Sequence, residues 1–357
     1  MLGLYVHIPF CHSLCHYCDF PKFINQKEDV IDKYLDKLIF DINELKEKNL
    51  IFDTLYIGGG TPNYLSDNNL NRLFYNLNQL NFKFNAEKSI EANVDFINEE
   101  QIKILSKYGI NRVSIGVETF DSKIGKIINR YTDYDELKAK ISLLHQYHID
   151  NINLDFIYAL PKQNLKSFKN DLKLALKLKP KHLSFYQLIL EDNSVLYKNH
   201  INDFPNEDIV LKMDKCLNKK LKKYHHYEIS NYAIKGYESK HNLLYWNMDE
   251  YIGLGLSASS LYQNKRITNS KIMSKYLAGL DVDVVDSEMG EFFWLGLRKL
   301  DGVNLNEFRT KYQKDPFDLY DIYDLLNKKL VSLDDNNQLK LTEKGLEVAN
   351  IVFAYFV

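Results

Sequence analysis

Three cysteines within eight residues, Cys11, Cys15 and Cys18, constrain this chain more than anything else in it. They lie in Tyr5-Val-His-Ile-Pro-Phe-Cys-His-Ser-Leu-Cys-His-Tyr-Cys-Asp-Phe20, after an apolar, strand-like run from Leu4 to Ile8. A C-x3-C-x2-C triplet offers three thiolates and no fourth. A closed structural zinc site wants four ligands, so zinc would also need His12, His16 or Asp19. A 4Fe–4S cluster on three thiolates leaves one iron open to a small molecule, and one short loop can wrap three corners of the cube. The spacing alone leaves both open. No disulfide framework is expected, because three clustered cysteines plus distant Cys216 make no secreted pattern. C-type haem attachment is excluded, since Asp19 and not His follows Cys18.

With 45% hydrophobic residues in 357, the chain has the composition for a large core plus a smaller one. Acids (48) and bases (46) nearly balance. That leaves no electrostatic case for nucleic acid as a partner. No apolar stretch reaches 18 residues, so no transmembrane helix is predicted. Met1–Cys11 lacks the basic start of a signal peptide. Four cysteines in such a chain predict a reducing, cytoplasmic setting.

Short apolar runs alternate with helical patterns. Strands are predicted at Leu4–Ile8, Thr54–Ile57, Ser89–Ala92, Arg112–Val117, Ile152–Ala159 and Leu183–Leu190. Helices are predicted at Val30–Lys46, Leu70–Leu80, Glu99–Lys107, Tyr134–Tyr147 and Leu165–Leu178. This order predicts an α/β fold with an open, partial (βα)6 barrel, in which functional groups gather at the carboxyl ends of the strands. The cysteine loop follows strand one, and Gly58-Gly59-Gly60-Thr61-Pro62 follows strand two, a bend that lets a ligand approach the backbone N–H groups. Glu91, Glu118 and Asp155 come from strands three to five. Each carboxylate alone would be a solvated strand end; together they predict one active site.

Beyond residue 280, helical patterns at Ser287–Leu300, Asn304–Tyr312 and Leu319–Leu330 precede two short strands within Val331–Leu341. This predicts a small winged-helix-like α+β domain. From Val284 onward it carries nine Lys/Arg against thirteen Asp/Glu, a balance that repels phosphate. The expected divisions are a core over 1–230, a connecting segment over 231–283 and the C-terminal domain over 284–357.

On these motifs the chain resembles the radical S-adenosylmethionine (SAM) family. Within it, the chain is similar to the branch of oxygen-independent coproporphyrinogen III dehydrogenases and HemW-type heme chaperones. The resemblance covers essentially the whole chain. It also runs through Arg112–Phe120, Asn153–Pro161, Pro180–Tyr186, Tyr227–Tyr232 and His241–Trp246. The dehydrogenase pattern has a further cysteine where Phe20 stands, and an extension ahead of the cluster where this chain has ten residues. His241-Asn-Leu-Leu-Tyr-Trp246 matches the H-N-x-x-Y-W block associated with heme in the chaperones. The resemblance therefore favours a heme-binding chaperone that passes heme to an acceptor protein and needs an electron donor. The alternatives are the dehydrogenase activity, a radical oxidative decarboxylation, or a diverged radical SAM enzyme.

The resemblance implies a 4Fe–4S cluster on Cys11, Cys15 and Cys18. SAM would sit on the open iron, to be cleaved by one electron to a 5′-deoxyadenosyl radical. Tyr5 and Tyr17 would flank SAM, while Gly59, Gly60 and Thr61 would meet it through their backbone. Glu91, Glu118, Arg130 and Asp155 would surround the rest, with Arg130 on the methionine carboxylate. His241 would offer heme an axial nitrogen, although a lone His beside aromatics is more often a packing residue. Three departures stand out. Glu118 replaces the usual Gln, and Ala159 replaces a usual Gly. In Tyr251–Ser260, Ser257 and Ser259 replace the Gly and His of a G-x-G-x-G-A-H run.

Overall fold

The computed structural model describes residues 1–357. Six parallel strands form its centre: β1 (Leu2–Ile8), β2 (Ile51–Gly59), β3 (Asn81–Asn93), β4 (Arg112–Glu118), β5 (Asn151–Tyr158) and β6 (His182–Gln187). Between them run α1 (Glu28–Glu47), α2 (Asp67–Leu77), α3 (Glu99–Lys107), α4 (Ser122–Ile128), α5 (Tyr134–Gln146) and α6 (Leu165–Leu178). The sequence dictates their ends. α6 starts at a capping box of Asn164 and Ser167, and α5 starts where the Asp133 carboxylate accepts from two backbone N–H groups. α1 buries Ile31, Tyr34, Leu35, Leu38, Ile42 and Leu45, the stripe predicted from helical spacing.

The strands alternate strictly. Leu4, Val6 and Ile8, then Val113, Ile115 and Val117, then Ile152, Leu154 and Phe156 join the α1 stripe in one core cluster of 52 residues. The alternate positions, among them Arg112, Ser114, Gly116 and Glu118 on β4, line a cavity instead. A closed (βα)8 barrel fills its interior with branched apolar side chains. Here most inward positions are polar, Ile157 being an exception, and the lumen stays open.

The sheet extends beyond the six predicted strands. After α7 (Glu207–Lys220), β7 (His225–Glu228) and β8 (Asn231–Ala233) add antiparallel strands beside β6. After α8 (Lys240–Trp246), β9 (Glu250–Leu254) pairs parallel with β1. β10 (Ser259–Tyr262), β11 (Lys265–Thr268) and β12 (Asp283–Asp286) continue antiparallel. The order β12-β11-β10-β9-β1-β2-β3-β4-β5-β6-β8-β7 does not close. Residues 231–283 thus supply strands to both ends of the main sheet, β8 beside β6 and β9 to β11 beyond β1, with α8 between them. β12 carries that sheet past residue 284.

A second core of 15 buried residues spans Phe293 to Phe356. Its helices Glu291–Gly296, Leu305–Tyr312 and Ile322–Asn327 pack beside a three-stranded sheet of β13 (Val303–Asn304), β14 (Val331–Leu333) and β15 (Gln338–Leu341). The first helix is shorter than the predicted Ser287–Leu300. Gly290 lies against the Phe356 carbonyl, where a Cβ would sit at 1.8 Å. Arg266 of β11 ties the units together, donating to Glu291 at 2.8 Å and to the Tyr251 hydroxyl at 2.6 Å. No helix is long and apolar enough to cross a membrane.

Candidate functional site

A cavity of about 580 Å³ opens at the carboxyl ends of β1 to β6 and runs down the lumen. Cys11, Cys15 and Cys18 line its mouth. Cys11 sits on a two-residue strand paired with Phe23–Ile24, and the Thr61 hydroxyl donates to its Sγ at 3.5 Å. Burial pushes the Cys15 thiol up to about 11 and raises that of Cys11. The three thiols do not close round a point that one ion could occupy, whereas a cluster is a larger body held at its corners. Of the candidate fourth ligands for zinc, His12 and Asp19 line the cavity with the cysteines, and His16 does not. His16 Nδ1 is hydrogen-bonded to the Ile127 carbonyl at 2.7 Å, and His12 packs edge-on against Tyr64 and Phe96.

Gly59, Gly60 and Thr61 lie beside the cysteines. Their N–H groups are all taken: Gly59 donates to Glu91 at 3.0 Å, Gly60 to the Ile8 carbonyl and Thr61 to the Phe10 carbonyl, both at 2.8 Å. The expected N–H contacts are therefore spent. Any backbone contact to a ligand here comes through carbonyl oxygens, which suit an ammonium group. Gly59 needs its glycine for a φ of +119°.

Below the turn, Glu91 accepts from the Tyr56 hydroxyl at 2.8 Å, and burial raises its carboxyl to about 7. Burial raises Glu118 to about 7 as well, against the opposing pull of Arg130. Asp155 accepts from Ser114 at 2.6 Å and Asn153 at 2.8 Å and is likewise raised by burial. Arg130 donates through Nη2 to the Gly116 carbonyl at 2.8 Å, while its buried Nε has no partner. Tyr17 lines the same cavity, close to Glu118 and Cys15. An orphaned guanidinium nitrogen beside carboxylates fits a ligand with both a carboxylate and positive charge, such as SAM.

Two expected residues lie elsewhere. Tyr5 and His241 do not line this cavity. Tyr5 stacks on Tyr56 at 6.3 Å, and Tyr56 stacks on His241 at 5.2 Å, so the three rings form a partition. Across it lies a second cavity of about 280 Å³, walled by Tyr5, Tyr245, Trp246, Tyr251, Ser259 and Trp294 among others. His241 is fully buried. Its Nδ1 is bonded to the Thr54 hydroxyl and its Nε2 to that of Tyr245, both at 2.7 Å. With no free nitrogen it is no axial ligand in this conformation, and burial lowers its imidazole to about 3. The aromatic half of the block, Tyr245 and Trp246, is what reaches a cavity.

Sequence reasoning missed the lumen floor. Asn153 Nδ2 donates to Ser114 at 2.7 Å, and its Oδ1 accepts from His182 Nδ1 at 2.6 Å. The Tyr227 hydroxyl lies 2.8 Å from His182 Nε2. The signal was in the strands: polar residues at every second position where a parallel sheet ordinarily reads as a continuous apolar run.

This fold and site define a radical SAM protein. The model of the Radical SAM superfamily matches residues 5–175, and that of the HemN C-terminal domain matches 286–348. Within the superfamily the chain belongs to the HemW family. It is 36% identical to the heme chaperone HemW of Lactococcus lactis over 99% of this chain and 96% of that one. It is 34% identical to that of Bacillus subtilis over 100% and 99%. The solved coproporphyrinogen III oxidase HemN of Escherichia coli, described as a radical SAM enzyme, shares the fold. Its TM-score is 0.85 at 24% identity, over 99% of this chain and 89% of that one.

Proposed function

We propose that this chain binds heme and transfers it to an acceptor protein, with a cluster and SAM held in the large cavity. Cys11, Cys15 and Cys18 would hold the cluster. Arg130 would pair with the methionine carboxylate, and Glu91, Glu118 and Asp155 would face the rest of SAM. When bound, the pair supplies one-electron chemistry at the sulfonium; the chain's own residues exclude water and fix the charges around it. Burial keeps the free Glu91 and Glu118 carboxyls partly protonated and raises that of Asp155, and a cationic ligand would favour their ionised forms.

The observation that carries the heme reading is the second cavity. Tyr245 and Trp246 of the H-N-x-x-Y-W block line it with Tyr251 and Trp294, giving flat apolar surface of the kind a porphyrin stacks on. Phe20, 64% exposed where the dehydrogenase pattern has cysteine, supports the chaperone over the enzyme. The test is anaerobic reconstitution followed by heme titration. A Soret band and about four cluster irons per chain are expected, the cluster irons lost from Cys15→Ala and kept in Cys216→Ala. Decarboxylation of coproporphyrinogen III without heme binding would overturn this reading.

A further inference from the structure

Arg112 opens β4 at the floor of the lumen, only 2% exposed. It lines the large cavity. Nη1 donates to Asn151 Oδ1 at 2.9 Å and to the Tyr237 carbonyl at 3.2 Å, while Nε is buried without a partner and Nη2 has none within the protein. The arginines that form ion pairs are Arg72, Arg266 and Arg309. No carboxylate of the chain comes within ion-pair distance of it. Asp155 feels its charge through space while accepting from Ser114 and Asn153, and Glu87 accepts from the His241 N–H at 3.2 Å. A guanidinium cannot shed its proton, and Nε and Nη2 are left as unfilled donors. Those donors are placed for an anion from outside the chain.

That anion is distinct from the one suited to Arg130. Arg130 bonds the Gly116 carbonyl, about 13 Å up the same strand by strand rise. The Tyr237 carbonyl that Arg112 grips stands two residues before Ser239, and Ser239 and Asn242 line the cavity beside it. A planar guanidinium fork flanked by a hydroxyl and an amide matches a carboxylate. We propose that Arg112, Ser239 and Asn242 form a carboxylate subsite at the lumen floor. It takes either the carboxylate arm of a tetrapyrrole seated in this cavity and not in the second one, a source resting only on the heme-binding part of the reading above, or a free small organic acid.

The test uses the full chain with its cluster reconstituted, as wild type, Arg112→Gln and Arg112→Lys. Heme and heme dimethyl ester are titrated against each, and melting is followed in sodium propionate against neutral propionamide. For an arm of the tetrapyrrole, wild type prefers the free acid to the ester. Arg112→Gln reduces that preference about ten- to a hundredfold, and Arg112→Lys by less. Equal acid preference in wild type and Arg112→Gln, with propionate raising the wild-type midpoint alone, supports the free acid as occupant. That same propionate result without any heme binding supports the subsite and overturns the heme reading. No Arg112 dependence in either arm overturns the subsite. Should Arg112→Gln fail to load its cluster, the comparison rests on Arg112→Lys, whose acid preference must still fall below that of wild type.

Discussion

Gly60 lies so close to Cys11 that a Cβ on it would stand 2.9 Å from the cysteine sulfur and 2.7 Å from the Phe10 carbonyl. The glycine turn is thus a wall of the cysteine loop as much as an approach for a ligand. Gly60→Val should displace the loop and lower reconstituted iron and sulfide together with SAM affinity. Full iron content with weak SAM binding would show that only the ligand approach was blocked.

Glu118 gives a pH dependence with a definite sign. Its folded carboxyl is raised to about 7 from an ordinary 4.5, so the folded state holds a proton that the unfolded chain releases between those values. In cluster-free protein this contribution to stability is present below about 4.5 and lost as pH rises through 7. Glu118→Gln should melt above wild type at pH 8, by an amount of order 3 kcal/mol at most, and the gap should close near pH 5. The positive φ of +62° at this residue burdens both proteins alike. A pH-independent gap would place the effect in packing.

Two of the other departures fall on the same backbone feature. Ala159 has φ +60° and Ser257 φ +55°, both left-handed positions where glycine is easier. Ala159→Gly should stabilise by about 0.5–1 kcal/mol, strain relief exceeding the added chain entropy. A lower denaturation midpoint would show that the Ala159 methyl, buried in the core, contributes more than the strain costs.

The sequence made the six central strands legible because their outward residues, such as Val113, Ile115 and Val117, are consecutive odd positions packed on helices. β9 was hidden because Tyr251-Ile-Gly-Leu-Gly looks like a turn. Its Gly253 is required instead by close packing, since a Cβ would lie 2.1 Å from the Ser259 carbonyl. Of the eleven site residues from Cys11 to Asp155 that line one cavity, Tyr17 and Arg130 came from the family resemblance alone, and the others also follow from strand-end logic, which fixes position along a sheet. His241 was assigned from its motif block, and the sequence of a seven-residue helix does not reveal which side faces a partition.

His241 should act through stability. Removing it deletes two buried hydrogen bonds and leaves a cavity behind Tyr56, so His241→Ala should cost about 2–4 kcal/mol. Calorimetry of the reconstituted protein measures this. An unchanged midpoint with lost heme would restore the axial-ligand assignment.

Heme affinity should instead respond to the second cavity. Trp246 stands in its wall with the Arg298 guanidinium 5.0 Å from its ring, and its buried Nε1 has no partner. Trp246→Ala should remove stacking surface and weaken heme binding, while cluster content holds because the partition of Tyr5, Tyr56 and His241 separates the sites. Ser259 lines the same wall and is held by Thr268 at 3.0 Å. Ser259→His would bring an imidazole nitrogen to a cavity whose resident histidine has none to spare. Its heme complex should be tighter, with a shifted Soret band. Both are read by titration on one preparation of each variant. If Trp246→Ala and Ser259→His both bind heme as wild type does, heme sits elsewhere and the second cavity is structural.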